Sequence, residues 1–165
     1  MALQKTVNLY PAAGLPGQEV VAGQAWYLAY NPQSDGTVKP GAFVFAKTSS
    51  SATGESLGLV SATGTSLLGI CVRVADATIA NVLDSVTETY PGGHAVTIAA
   101  RGQFYALAAG SATDGQHVLV NTSTGAVTYG PAATEGTVDS EWLVRIPNGG
   151  ASASEGDVVI YERLG

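Results

Sequence analysis

Apolar and polar residues alternate with a period of two over much of this chain, which is the pattern of β-strands that bury one face. The stretches that show it are Glu19–Tyr30 (broken at Gly23), Gly41–Lys47, His94–Gly110, Glu141–Pro147 and Gly156–Leu164. In the His94–Gly110 stretch, the alternation predicts two faces. One would carry Val96, Ile98, Phe104 and Ala106, and the other would carry Tyr105 and Leu107.

A short phrase recurs along the chain, in which a glycine precedes a run of β-forming residues. The phrase begins at Gly17, Gly23, Gly41, Gly102, Gly115 and Gly156. Because glycine turns the chain easily, we expect each phrase to start a strand. A hairpin is also expected, since the turn-forming residues Asn121–Gly125 separate two β-rich runs.

Loops rich in Gly, Ser, Thr, Asn and Pro separate these stretches at near-regular spacing. This organisation predicts an all-β fold, a single compact sandwich-like or barrel-like domain. Two stretches do not fit. Asp76–Tyr90 carries apolar residues at helical spacing, although its Thr and Val residues oppose a helix, so the fold includes at most one short helix. The repeat of Ser51–Val60 in Ser61–Ile70 fits a duplicated hairpin arm.

The N-terminal residues lack the strand pattern, because Pro11 and Pro16 cannot donate to a β-ladder. The sequence predicts an extended arm over residues 1–18 and a β-rich domain over residues 19–165. The apolar residues of such an arm need a surface to lie on, either their own domain or a neighbour. Our candidate residues for an interface with another chain, either a different protein or a further copy of this one, are Leu9, Tyr10, Pro11, Leu15, Pro16 and Trp26.

The low content of charged residues and the negative net charge exclude some classes of partner. Charged residues make up 12% of the 165 residues, about half of the roughly 25% that is usual. The net charge is −6 and the seven Lys and Arg residues are scattered, so we expect neither nucleic acids nor membranes as partners. We expect no signal peptide, because the first residues contain no apolar run, and no membrane-spanning helix, because no apolar run approaches the roughly 20 residues that such a helix requires.

Residues with catalytic or metal-binding chemistry are few. Gly54–Gly58 matches a Gly-x-Ser-x-Gly nucleophile motif in its letters, but the residues after it lack the helix that this motif requires. His94 is expected at a solvated turn and His117 half-exposed in a strand, neither with partners at ligand spacing. Cys71 is expected to be a small buried apolar residue. We therefore expect no enzyme, no catalytic residues, no metal and no cofactor.

The order of the strand and turn phrases is similar to that of the structural cement (capsid decoration) proteins of tailed bacteriophages. The phrases that carry the resemblance are AAGLPGQ, VKPGAFVFA, LLGICVRV, YPGGHAVTIAARGQFYAL, DGQHVLVNTSTGAVT and IPNGGASASEGDVVIYERL. The resemblance covers most of the chain and is strongest from Tyr90 to the C-terminus. The Asp76–Tyr90 and Ser51–Ile70 stretches depart from it.

The resemblance implies a non-enzymatic protein that binds the outer surface of the phage head and stabilises contacts between major capsid protein subunits. It implies synthesis in the cytoplasm of a bacterial host and a final location in the virion. The expected partners are the major capsid protein and further copies of this chain, in a small symmetric homo-oligomer, a trimer rather than a dimer. The low charge and the apolar arm agree with this interpretation.

The aromatic residues leave a second interpretation open. In the pairs Trp26–Tyr27 and Phe104–Tyr105, one side chain must face outward or into a second layer. Sugar rings stack on exposed aromatic side chains. The alternative function is therefore a carbohydrate-binding or adhesin-like module of a phage tail or surface structure.

Overall fold

The computed structural model describes residues 14–47, 58–74 and 89–165, and these form β-strands with one 3₁₀ turn. The bounds are β1 Trp26–Tyr27, β2 Gln33–Ser34, β3 Phe43–Lys47, β4 Leu59–Ser61, β5 Ser66–Cys71, β6 Ile98–Leu107, β7 Ala112–Thr113, β8 His117–Asn121, β9 Val127–Gly130, β10 Thr137–Arg145, the 3₁₀ turn Pro147–Gly149, β11 Ser152–Ala153 and β12 Val158–Arg163. The all-β prediction is confirmed. The candidate helix and the first copy of the repeat lie largely outside the described residues.

Most strands belong to one sheet, in the order β2-β4-β3-β5-β6-β12-β10-β8-β9, with β1 added against β6. The β2–β4 pair is parallel and the other pairs are antiparallel, so the sheet is mixed. A separate two-stranded sheet joins β7 and β11. Among the described strands, β2 and β9 do not pair with each other, and the sheet is therefore open rather than closed into a barrel.

The long strand β6 joins two halves of this sheet. Its first residues, Ile98 and Ala99, pair with β5. Its later residues, Gly102–Leu107, pair with β12. We call the strands on the β5 side (β1–β5) the first half-sheet, and β8, β9, β10 and β12 the second. The two halves fold over each other, because both supply side chains to one hydrophobic core.

A bulge in β6 changes which side chains share a face. Trp26 pairs with Arg101 while its neighbour Tyr27 pairs with Ala99, so the register shifts by one residue between them. Such a shift moves the following side chains to the opposite face. Accordingly, Ala99 packs in the same core as Phe104, whereas Ile98 packs in a different core. The predicted common face of Val96, Ile98, Phe104 and Ala106 was therefore wrong, because strict alternation does not survive a bulge.

The main core lies between the half-sheets and centres on Trp142, which is fully buried. Its ring centroid lies 6.2 Å from that of Phe43, in an edge-to-face arrangement, and 6.0 Å from that of Phe104. Phe43 also stacks on Tyr161 with centroids 5.7 Å apart. These aromatic pairs join β3 and β6 to β10 and β12, so they hold the two half-sheets together.

A second, smaller core covers the other face of the first half-sheet. Its buried members are Val38, Val44, Val60, Cys71, Tyr90, Val96 and Ile98. Strand β3 is consequently buried on both faces, with Phe43 and Phe45 in the main core and Val44 between them in the second. Cys71 is fully buried, as predicted, and burial raises the pKa of its thiol to about 12.

The glycine phrase starts strands where predicted at several positions. Gly41, Gly115 and Gly156 have φ angles of 78°, 82° and 86°, a region in which glycine is favoured. In each case the strand begins two residues later, at β3, β8 and β12. Two positions differ: Gly102 lies within β6 and not before it, and Gly17 precedes an isolated bridge at Glu19 and not a strand.

The predicted hairpin is confirmed by the antiparallel pairing of β8 with β9, in which Val120 lies opposite Val127. The side-chain oxygen Oδ1 of Asn121 accepts hydrogen bonds from the backbone N–H groups of Ser123 and Thr124, at 2.9 and 3.0 Å. This local bonding by an Asn side chain stabilises the turn.

We predict that Gly41→Ala destabilises the protein more than Gly156→Ala. Both glycines have positive φ, so alanine is strained at each by about 1 kcal/mol. At Gly41 a Cβ atom would also lie 2.7 Å from the backbone nitrogen of Gly17, whereas nothing lies within 4 Å at Gly156. Thermal unfolding of the two variants measures the difference, and equal melting temperatures would contradict the packing at Gly41.

Asp35 lies between β2 and the loop before β3 and accepts hydrogen bonds from Lys47 Nζ at 2.8 Å and from the backbone N–H of Thr37 at 3.0 Å. Burial alone would raise the pKa of Asp35. The bonds from Lys47, Thr37 and Ser61 outweigh burial and lower the pKa to about 2, from 3.8. A carboxylate with a lowered pKa stabilises the folded state above pH 4, and this contribution is lost as the pH falls toward 2.

We therefore predict that Asp35→Asn lowers the free energy of unfolding by about 1–2 kcal/mol at pH 7. The difference from the wild type should shrink between pH 4 and pH 2, because the wild-type carboxylate then takes up its proton. Urea unfolding across this pH range measures it. Glu155→Gln, at an exposed carboxylate, is the control, and a pH-independent difference for Asp35→Asn would oppose the assignment.

Candidate interaction surface

Exposed apolar side chains concentrate near the N-terminal end of the described chain. Among the described residues, the large exposed ones are Leu15, Val21, Trp26, Tyr27, Tyr30, Leu107 and Leu164. We call residues 15–30, which hold the first five, the exposed apolar segment. Trp26 is 71% exposed, which is unusual for tryptophan because water contact with so large an apolar ring is unfavourable.

The chain from Gly14 to Val20 lies along the edge of β6 that faces away from β12. The Gly17 N–H donates to the Tyr105 carbonyl at 2.8 Å, and the Tyr105 N–H donates to the Gln18 carbonyl at 2.9 Å. Val20 continues the ladder through its N–H to the Gln103 carbonyl at 2.9 Å. This edge of β6 is thereby covered by the protein's own chain.

Contacts with Arg73 and with the ring of Tyr105 also hold the same segment in place. Arg73 donates from Nε to the Pro16 carbonyl at 2.9 Å, and its backbone N–H donates to the Gly17 carbonyl at 2.8 Å. Gly14 lies against Tyr105 so closely that a Cβ atom would overlap the ring. Leu15 is therefore presented outward, 59% exposed, by a segment whose backbone is held on both sides.

Trp26 is presented by β1, which pairs with β6 on one side and has no strand on its other side among the described residues. The Glu19 carboxylate organises the preceding turn. It accepts hydrogen bonds from the N–H groups of Gln24 and Ala25, at 3.0 and 2.9 Å, and from the Tyr27 hydroxyl at 3.1 Å. Burial, followed by the nearby Glu19 charge, raises the pKa of Tyr27.

The predicted interface residues fall into two groups. Leu15, Pro16 and Trp26 lie in the described exposed apolar segment, on neighbouring parts of the same β6 edge. Leu9, Tyr10 and Pro11 lie outside the described residues. Sequence reasoning did not select Tyr30, Val21 and Leu164, since an isolated apolar residue in a loop or at a terminus carries no periodicity.

Each histidine contacts a neighbouring side chain. His117 lies in β8, 42% exposed, as predicted, and its Nδ1 lies 2.9 Å from Oδ2 of Asp139 on β10. The sequence missed this partner because the two residues belong to different strands. His94 lies at a turn, but it is half-buried and stacks on Tyr90 with ring centroids 5.3 Å apart.

The candidates for catalysis and metal binding are the Gly54–Gly58 motif and any cluster of metal-ligating side chains. Most of the Gly54–Gly58 motif lies outside the described residues. Within the described ranges, no group of three or more His, Cys, Asp or Glu side chains is arranged to hold a metal ion. No helix in the described part of the chain is long and apolar enough to cross a membrane.

Comparison with known proteins gives a family and a fold. Residues 3–163 match the family model described as "Structural cement protein (E217 gp24/Pam3 gp6)". No curated protein matches the sequence. A chain from "The capsid of Myoviridae Phage XM1" has a similar structure, with a TM-score of 0.59 and 14% identity, covering 98% of this chain and 97% of that chain. At this identity the likeness shows a shared fold over almost the full length of both chains.

Proposed function

This chain belongs to the structural cement protein family of bacteriophages, and we propose that it binds the outer surface of the phage head and stabilises contacts between major capsid protein subunits. Family membership makes the protein a non-enzymatic structural component of the phage capsid, found in the virion. The family expected from the sequence is confirmed.

The exposure of Trp26 is the observation that carries the proposal. Burying a large apolar side chain contributes about 1.5–3 kcal/mol, and tryptophan is among the residues that most often dominate an interface. Trp26 lies on an edge strand whose outer side pairs with no strand of the described residues, and strand edges bind extended segments of other chains. An edge strand with an exposed tryptophan therefore supports a protein partner.

We further propose that the protein acts as a trimer rather than a dimer, placed at symmetry points of the shell. Many copies on one lattice hold the capsid by avidity even where each contact is weak. The mass of the purified protein in solution measures the oligomer size, and a dimer or monomer would oppose this part of the proposal.

We predict that Trp26→Ala weakens binding to capsids that lack the protein by about 10-fold to 100-fold, the loss expected for an interface tryptophan. The variant should fold normally, because the side chain is exposed. Leu107→Ala is the matched control, since Leu107 is also about half exposed but lies at the other end of β6. Occupancy of Trp26→Ala equal to that of the control would exclude Trp26 from the interface.

A truncated protein tests whether the N-terminal arm contributes to capsid binding. Deleting residues 1–13 leaves every described hydrogen bond from Leu15 to Val20 in place, so we expect an unchanged melting temperature. We expect weaker retention on heated capsids, because the deletion removes Leu9, Tyr10 and Pro11. Full retention with the shortened chain would mean that the arm takes no part in binding.

The exposed aromatic residues would also suit the alternative carbohydrate-binding function. Membership of a capsid cement family favours a protein partner over a glycan. Saturable binding to glycans, together with no binding to capsids, would reverse this preference.

A further inference from the structure

The turn between β10 and β11 contains Asn148, followed by two glycines, Gly149 and Gly150. All three residues are exposed, and the 3₁₀ turn Pro147–Gly149 contains no buried residue. Asparagine is among the thermolabile residues, because the backbone nitrogen of the next residue can attack its side-chain amide. Glycine hinders this attack least, since it has no side chain. Of the five asparagines in the chain, only Asn148 precedes a glycine.

Asn148 has a left-handed backbone conformation, with φ 62° and ψ 20°. Gly149 follows with a φ of 71°. These angles match the two central residues of a type I′ turn. The Gly150 N–H closes the turn on the Pro147 carbonyl at 3.4 Å, which is longer than a normal hydrogen bond. The turn around Asn148 is therefore only loosely closed.

Attack on the Asn148 side chain forms a five-membered ring, which requires the Gly149 nitrogen to lie beside that side chain. For an L-residue this sets ψ near −120°, and type II′ turns combine this ψ with a φ of about 60° at their first central residue. Asn148 already has such a φ, so only ψ must change. Turning over the single peptide group between Asn148 and Gly149 makes this change, and it converts a type I′ turn into a type II′ turn.

The surroundings leave room for the peptide group between Asn148 and Gly149 to turn over. A Cβ atom at Gly149 would have nothing within 4 Å. Because Gly149 lacks a side chain, it can also take the negative φ that a type II′ turn requires at its second central residue. At Gly150, by contrast, a Cβ atom would lie 2.7 Å from Cγ2 of Ile146. Space is therefore open at the peptide that reacts and filled at the next residue.

Both ends of the turn are anchored at Asp114. The Ile146 N–H donates to Oδ1 of Asp114 at 2.9 Å, and the Asp114 N–H donates to the Ala151 carbonyl at 3.1 Å. Strand β11, which follows directly, pairs with β7. The rearrangement can therefore take place within residues 147–150, while β10 and β11 stay in position.

The other asparagines within the described residues are protected from this reaction. At Asn121, the potential nucleophile is the Thr122 nitrogen, whose N–H donates to the Gly136 carbonyl at 2.9 Å. The Asn121 side chain also accepts two backbone hydrogen bonds in its own turn. Asn31 precedes a proline, whose nitrogen carries no hydrogen. Asn121 therefore serves as an internal reference for Asn148.

We propose that Asn148 is a site of spontaneous deamidation. The Gly149 nitrogen loses its proton and bonds to Cγ of Asn148, and the bond from Cγ to Nδ2 breaks, so that ammonia leaves and a succinimide remains. Water then opens the succinimide at either carbonyl, which gives aspartate or isoaspartate without any change of oxidation state. Each event replaces a neutral amide with a carboxylate and so lowers the net charge of −6 by one. This modification does not depend on the proposed capsid-binding function.

The test is incubation of the intact protein in warm neutral buffer, followed by tryptic digestion and mass spectrometry against a sample taken at the start. Cleavage after Arg145 and Arg163 gives the peptide 146–163, in which Asn148 is the only asparagine and no glutamine occurs. We expect isoaspartate and aspartate to accumulate at position 148 while Asn121 stays intact. Isoaspartate identifies the succinimide route, because direct hydrolysis of the side chain gives aspartate alone.

The same incubation of the chain unfolded in guanidinium chloride measures how far the folded turn restrains the reaction. We expect the folded protein to deamidate at no less than about one-tenth of the unfolded rate, which limits the cost of turning the peptide over to about 1.4 kcal/mol. Three results would overturn the proposal: an intact Asn148 in the folded protein, aspartate without isoaspartate, or a folded rate slower than this limit.

Asn148→Gly is the matched control, because glycine accepts the positive φ of this turn and has no side-chain amide. The peptide 146–163 of this variant should stay unmodified. Ion-exchange chromatography should resolve acidic variants of the incubated wild-type protein that are absent from incubated Asn148→Gly. Acidic variants as abundant in Asn148→Gly as in the wild type would place the reaction at another residue and overturn the proposal.

Discussion

The architecture depends on one strand, β6, that belongs to both halves of the sheet. Its first residues pair with β5 and its later residues with β12. The bulge between them interrupts the ladder locally and lets the sheet bend, since a bulge leaves one residue unpaired, increases local twist and redirects the side chains that follow. Gly102, with a φ of 131° and Ala25 closely packed against it, occupies the bend. The buried ring of Trp142 then fills the space between the halves.

A sheet that folds over without closing keeps its edges. In this protein, one edge is covered by the protein's own chain, whereas another carries an exposed aromatic side chain. The chain around Gly17 covers the edge of β6 beside Tyr105, so that edge is not open to other chains. The outer edge of β1 carries Trp26, and no strand of the described residues covers that edge. Uncovered strand edges are places where further strands add, which suits a protein that must bind neighbouring chains. The interaction surfaces therefore follow from the same bend that forms the core.

Several features were predictable from the sequence because they depend on local geometry. Alternation of side chains identified β3, β12 and the later part of β10, and the Asn121–Gly125 turn identified the β8–β9 hairpin. The burial of Cys71 followed from the apolar residues around it. The prediction of one common face for Ile98 and Phe104 failed for a physical reason. The bulge depends on pairing with β1 and β12, which are distant in the sequence.

The sequence by itself determined that the protein is an all-β, weakly charged chain of cement-protein type, because alternation, glycine turns and composition are properties of neighbouring residues. Only the tertiary structure decided which strand edges remain uncovered among the described residues, and that Asp139 meets His117. Those facts depend on which strands pair and where the sheet bends. That choice is made by packing of the whole core around Trp142, and no short stretch of sequence contains it.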